Sequence, residues 1–353
     1  MTIAYTTVSQ RIGKWKAEIL TCAKYAQTLH VTGPMQKGMP KNNSMEAIFR
    51  RWLPWGDVDN KFVAAGTSDA AAAFADAHRL QEGVAPESNS IVPVDVSVNL
   101  QEFGMLYSFT NRTYDFHEDN IPAEITKQLG ERKGTLDEMI DYAALQACTT
   151  KLYAGNGGSR ATVSKAPTLA GLRAIAQGLY NNSAGLMTSG SLTGPGYGSA
   201  PTEAGWVVVC HTNALADFRG MDGWIPVQNY AGTKPIHPME KGSVEEFRII
   251  VTPHLQPILD AGAAVGATGL AANSTNVDVY QTVIAAKEAW GKLSLTGAGS
   301  IDPQIHMPDS SSKSDPLGQI GLHGMRFYAA SKVLNHGWMC IYEHGVTALS
   351  GSF

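Results

Sequence analysis

The chain has 353 residues, 44% of them apolar, and a formal net charge of −4 at neutral pH. That length buries a substantial core and predicts two subdomains rather than one. The small negative charge argues against a dedicated nucleic-acid binder, which would carry a basic patch. No run of about 18 apolar residues is present to cross a membrane as a helix.

The four cysteines, Cys22, Cys148, Cys210 and Cys340, lie far apart with no CxxC pair. Three sit in apolar runs, which predicts buried free thiols and folding in a reducing compartment. The N-terminus lacks an uninterrupted apolar segment, so no signal peptide is expected.

In chain order, Val8, Ile12, Trp15, Ile19, Cys22, Ala26 and Leu29 alternate spacings of four and three, the seam of a packed helix. A breaker-rich linker, VTGPMQKGMPKNN, follows. The helix either docks on its own domain or serves as an arm laid on a neighbouring copy. Residues 44–55 read as a strand closed by Pro54. Residues 91–110 read as one long strand, with Val92, Val94, Val96 and Val98 on one face. Between them lie about 35 residues rich in Ala, Gly, Asp and Ser, a length that marks a loop with a role of its own. Two long strands around such an excursion predict a projecting β-arm; a hairpin with an inserted lid is the alternative.

Residues 116–130 predict a short helix, with Asn120 as its cap and Pro122 in its first turn. Residues 135–155 then carry the strongest local signal. Thr135 and Glu138 form a capping box, and Asp137 and Glu138 put negative charge at the helix start. Leu136, Ile140, Ala143, Cys148 and Leu152 make an apolar stripe, and Gly155 is the expected C-terminal stop. This predicts a rod about 30 Å long. Residues 167–182 give another amphipathic helix through Leu169, Leu172, Ile175, Ala176 and Leu179, and 183–205 a loop. Residues 206–210, 247–251 and 277–286 are continuous apolar strands, the pattern of burial on both faces, and 211–219 is helical. The β-α-β alternation over 166–300 predicts a small α/β subdomain. Residues 297–317 read as loop. Two last strands, 324–333 and 338–342, flank an Asn335-His336-Gly337 turn.

The motif search is mostly negative. The sequence contains no GxxxxGK[ST], HExxH or GxSxG. Gly194, Gly196 and Gly198 lack the strand-to-helix setting of a phosphate loop. His237, His254, His323, His336 and His344 show no helical metal-ligand spacing. His117-Glu118-Asp119 reads as a polar turn ahead of a capped helix rather than an acid–base cluster. No catalytic residue, cofactor or metal site is assigned, and the chain is not expected to be an enzyme. Arg50-Arg51-Trp52 has a strand setting and does not suggest base readout.

The order of elements resembles a tailed-phage major capsid protein of the HK97-like fold: arm, long β-excursion, spine helix, small α/β subdomain, returning strands. The local sequence narrows the resemblance to the N-four-like family. It is carried by EGVAP (82–86), QEFGMLYSFT (101–110), KLYAGNG (151–157), WVVVCHTNALADFRGMDGW (206–224), KGSVEEFRIIVTP (241–253) and DPLGQIGLHGMRFYAASKVLNHGWMCIYEHG (315–345). It covers about residues 44–350. The family's Gly-Glu pair before the mid-chain strand appears here as Lys241-Gly242-Ser243-Val244-Glu245.

The resemblance implies an α+β fold in five parts. These are an N-terminal arm (1–44), an extended E-loop with flanking strands (45–110), a peripheral domain with the spine helix (111–165), an axial domain (166–317) and returning strands (318–353). It implies self-assembly as pentamers and hexamers into an icosahedral shell around double-stranded DNA, in the virion, with no membrane partner. Separate scaffolding and portal proteins, and a decoration protein, are the implied partners. The sequence starts at Met1 with no long charged helical prefix, so the scaffold is expected to be a separate protein. Two alternatives remain at this point: an encapsulin-like compartment shell, and a soluble α/β enzyme with residues 56–90 as a lid.

Overall fold

A computed structural model describes residues 27–42, 44–52, 79–80, 82–83, 93–155, 157–187, 205–230, 235–266, 268–296, 301–308 and 315–349. Two sheets and one long helix organise them. Most of the segment expected to form the first helix, the excursion at 56–90 with few exceptions, and the glycines 194–198 fall outside the described residues.

The first sheet has five strands: β1 (Met35–Met39), β4 (Gln101–Thr110), β11 (Trp290–Leu295), β12 (Ile301–His306) and β13 (Ile320–Val333). β13 is its axis. β4 runs antiparallel along one edge of β13, from Thr110 opposite Ile320 to Gln101 opposite Ala329. β12 and then β11 follow the other edge, also antiparallel, and β1 adds to β11 in parallel.

Against this sheet lies α2, Ile121–Leu145, after a one-and-a-half-turn helix α1 (Asn111–Phe116). The long helix differs from its expected bounds. It starts at Asn120, whose side chain caps Ala123 N–H, and runs unbroken through Gly130 and Gly134. The short helix and the rod are therefore one element of 25 residues, about 38 Å long at 1.5 Å per residue. Thr135 is not a cap; its hydroxyl donates to the Glu131 carbonyl at 3.2 Å. Glycine in a helix interior costs about 1 kcal/mol against alanine. Burial of Leu129 beside them, with Ile125, Leu136 and Ile140 against Met325, Phe327 and Ala329 of β13, outweighs that cost. The helix also ends ten residues early. Residues 151–153 leave it to form β5 (Lys151–Tyr153), parallel to β14.

The second sheet has seven strands in the order β5-β14-β10-β6-β9-β8-β7. They are β6 (Trp206–His211), β7 (Trp224–Pro226), β8 (Glu240–Val244), β9 (Phe247–Thr252), β10 (Tyr280–Ala285) and β14 (Met339–His344), with β5 at the edge. Its central strands are buried on both faces, as continuous apolar runs predict. Trp206, Val208, Cys210, Ile249, Val251 and Ile284 face one core, shared with α3 (Leu169–Asn181) and Phe218 of α4 (Leu215–Arg219). Val207, Val209, Ile250, Val283, Ile341 and Met339 face the other, which takes in Leu29, Val31, Tyr142, Leu145 and Trp290. The C-terminal end of α2 thus packs on the second sheet while its middle packs on the first.

The residues expected to form one strand at 91–110 form two. β3 (Pro93–Asn99) pairs antiparallel with β2 (Glu46–Trp52) in a separate two-stranded ribbon, and at Leu100 the chain crosses into β4. Two stretches read as loop contain strands: β1 within the linker and β12 within 297–317. Sheet membership also cuts across segments contiguous in sequence. β11 and β12 join the first sheet although they lie within 166–317, and β5 joins the second.

Candidate assembly surfaces

The ribbon is anchored at its root on one face. Ala47, Phe49 and Val98 are buried with Met39, Leu293 and Ala330 of the first sheet. Lys37 donates to the Ile48 carbonyl at 2.7 Å and lies over the Phe49 ring; Lys332 donates to the Ser97 carbonyl at 2.9 Å. The opposite face is open. It carries Ile48 and Trp52, both about half exposed, and an Arg50–Asp95 fork with bonds of 2.7 and 2.8 Å. Alternation along the strands separates the two faces.

A second open surface lies on the first sheet, on the side turned away from α2. Phe103, Met105 and Tyr107 of β4 face the helix, so Leu106 faces outward, as does Ile320, which pairs opposite Thr110. Leu106 is 64% exposed and Phe116, just beyond β4, is 82% exposed. Ile320 is exposed as well. Gly324, opposite Leu106, leaves room for that side chain: a Cβ there would meet Leu106 at 2.7 Å and the Met105 carbonyl at 2.6 Å. Nearer the ribbon the same face is charged, with Arg326 bonded to Asp302 and 3.7 Å from Glu102. Exposed apolar side chains gathered at one end of a sheet mark contact surfaces.

The histidines have structural roles or open positions. His344 is fully buried; one ring nitrogen meets the Gly345 carbonyl and the other the Thr282 hydroxyl at 2.8 Å, and burial lowers its pKa to about 4. His336 accepts from Thr149 N–H, and His237 from Met239 N–H. His117 accepts from Asp119 N–H in the polar turn before α2. Among the described residues no three His, Cys, Asp or Glu side chains gather where they could hold a metal ion. Cys148, Cys210 and Cys340 are buried free thiols, and burial pushes Cys210 and Cys340 up to about 12. Among the described residues no helix is long and apolar enough to cross a membrane.

Sequence reasoning missed the buried ionic groups. Glu343 has no exposed surface; Arg160 grips both its oxygens at 2.8 Å, and Gln281 donates to one of them at 2.8 Å. Tyr142 of α2 and Gln146 just past its end donate in turn to the Gln281 side-chain amide oxygen. Glu240 is held by Arg248, Tyr230 and the Ile236 N–H. These residues are scattered in sequence, so no local pattern announces them.

The architecture itself identifies the class. The chain is similar to the capsid of Ralstonia phage GP4, with a TM-score of 0.66 at 12% identity, over 92% of this chain and 93% of that one. The chain has the HK97-like capsid fold. A second capsid, from cyanophage P-SCSP1u, matches this HK97-like chain with a TM-score of 0.53 at 13% identity, over 90% of this chain and 88% of that one. In sequence it is similar to the major capsid protein of Pseudomonas phage KPP21, 22% identical over 265 residues. That match takes in 69% of this chain and 66% of the relative's length. No family profile matches the chain.

Proposed function

We propose that the chain is a major capsid protein of a tailed phage, of the N-four-like kind, and that its role is structural rather than enzymatic. Copies associate as pentamers and hexamers and close into an icosahedral shell around the packaged double-stranded DNA. The observation that carries this reading is the likeness to phage capsid subunits along nine-tenths of the chain, joined to a phage major capsid protein among its sequence relatives. The open surfaces support it. Each copy offers modest contacts, and symmetric repetition makes their sum large.

In this reading residues 1–44 are the N-terminal arm, and 45–110 form the E-loop, whose ribbon reaches an adjacent copy. α2 and β13 form the peripheral domain, and its sheet also takes in β1 from the arm segment, β4 from the E-loop segment, and β11 and β12. The seven-stranded sheet with α3 forms the axial domain that clusters at the symmetry axes. Scaffolding, portal and decoration proteins act as separate partners, and DNA meets the inner wall without sequence preference.

Negative-stain electron microscopy and size-exclusion chromatography of the purified chain, alone and with its scaffold and portal, test this. Rings, tubes or closed shells are expected. A monomer under every one of these conditions would overturn it.

A further inference from the structure

Three carboxylates on two successive turns of α2, Asp137, Glu138 and Asp141, are all nearly inaccessible. Among the described residues two lysines face them. Lys133 of the same helix bonds Asp137 at 2.5 Å, and Lys292 of β11 bonds Asp141 at 2.7 Å. Ser331 of β13 adds a hydroxyl to Asp141, and Gln27 an amide to Asp137. Glu138 is the carboxylate left without a lysine of its own. Its partners are the Thr28 and Leu29 N–H groups, at 2.9–3.2 Å, and the Thr28 hydroxyl. His30, the titratable group among residues 27–32, has its pKa lowered by burial and by Lys292, against the opposing pull of Asp141 and Asp137.

We infer that Glu138 is a proton-gated catch on the N-terminal segment, closed while it holds a proton and loosening as that proton leaves. The charge count among the described residues gives the direction. With both lysines committed, an ionised Glu138 leaves a surplus negative charge buried beside Asp137 and Asp141, and opening the clasp returns it to water. Burial, opposed by the Thr28 and Leu29 hydrogen bonds, pushes the Glu138 carboxyl up to about 7. A group whose pKa is raised in the closed state favours closure fully below its ordinary value of 4.5, and that preference is lost as pH rises towards about 7. This inference concerns the isolated chain and stands or falls independently of the shell reading.

The test is amide hydrogen exchange of the peptide spanning residues 27–32 in the full-length unassembled chain, corrected for intrinsic exchange. Protection is expected to fall about tenfold between pH 6 and pH 8 and to level off above pH 8. Glu138→Gln, which cannot ionise, should flatten that profile. Thr28→Val removes a donor to the ionised form and should move the midpoint to higher pH. Protection in the wild type that does not change between pH 6 and pH 8 would overturn the inference, whatever the variants do. So would an unchanged slope in folded Glu138→Gln.

Discussion

Glu343 sits in the second sheet with no exposed surface and still keeps its charge. Burial raises its pKa, but Arg160 and Gln281 outweigh that, and the net shift is downward. Its contribution to stability is therefore present above its ordinary pKa and lost as pH falls through the lowered one. Glu343→Gln leaves Arg160 without its anion and should cost about 2 kcal/mol, less than for a fully buried pair because Arg160 is partly exposed and keeps its charge in reach of water. Chemical denaturation of the unassembled chain measures this. His344, next in sequence, adds acid sensitivity of its own. Its pKa of about 4 in the fold, against an ordinary 6.5, means that stability is lost as pH falls from 6.5 towards 4. The loss should reach about 3 kcal/mol, and the difference between wild type and His344→Gln across that range isolates it. None of this was legible in the sequence. Glu343, Gln281, Arg160 and Tyr142 are brought together only by sheet pairing and by the packing of α2, and each alone looks like an ordinary polar residue.

At the scale of elements, legibility followed how much of an element's cause is local. The strands at 206–210 and 247–251 were readable because apolar residues buried on both faces leave a continuous run in the sequence. The helix at 169–181 was readable from its stripe and from Thr168, which caps Gly171 N–H. The long helix was misread at both ends for the converse reason. Gly130 and Gly134 look like stops, and only β13 packing against them keeps the helix going. Beyond Leu145, the free edge of β14 recruits residues that carry a helical stripe. β12 lies in a stretch that reads as loop because it is polar, and Pro303 is tolerated there because β12 has β13 as its only partner strand among those described. If β13 packing sustains α2, Leu129→Ala should cost about 3 kcal/mol, within the usual range for a buried leucine. Circular dichroism should show helix loss in step with unfolding. Loss of helix at full native stability would contradict this account of the element.

At the scale of the molecule, the apolar end of the outward face of the five-stranded sheet stays exposed among the described residues. Leu106 and Phe116 are exposed, so replacing them with Asp and Ser should leave the melting temperature within about 2 °C of wild type, as surface changes do. The same changes should remove higher-order species from sedimentation velocity profiles. With a net charge of −4, any DNA binding by the chain should be weak and its salt dependence shallow. The global architecture was readable because the order of elements survives where individual boundaries fail. The contact surfaces were not, since an exposed leucine and a buried one look alike until the fold places them. The most direct test of the central claim is native mass spectrometry of the purified chain, with and without its scaffold. Species at five and six times the 37.7 kDa subunit mass are expected. A single species at one subunit mass, at every concentration and with scaffold present, would contradict the account.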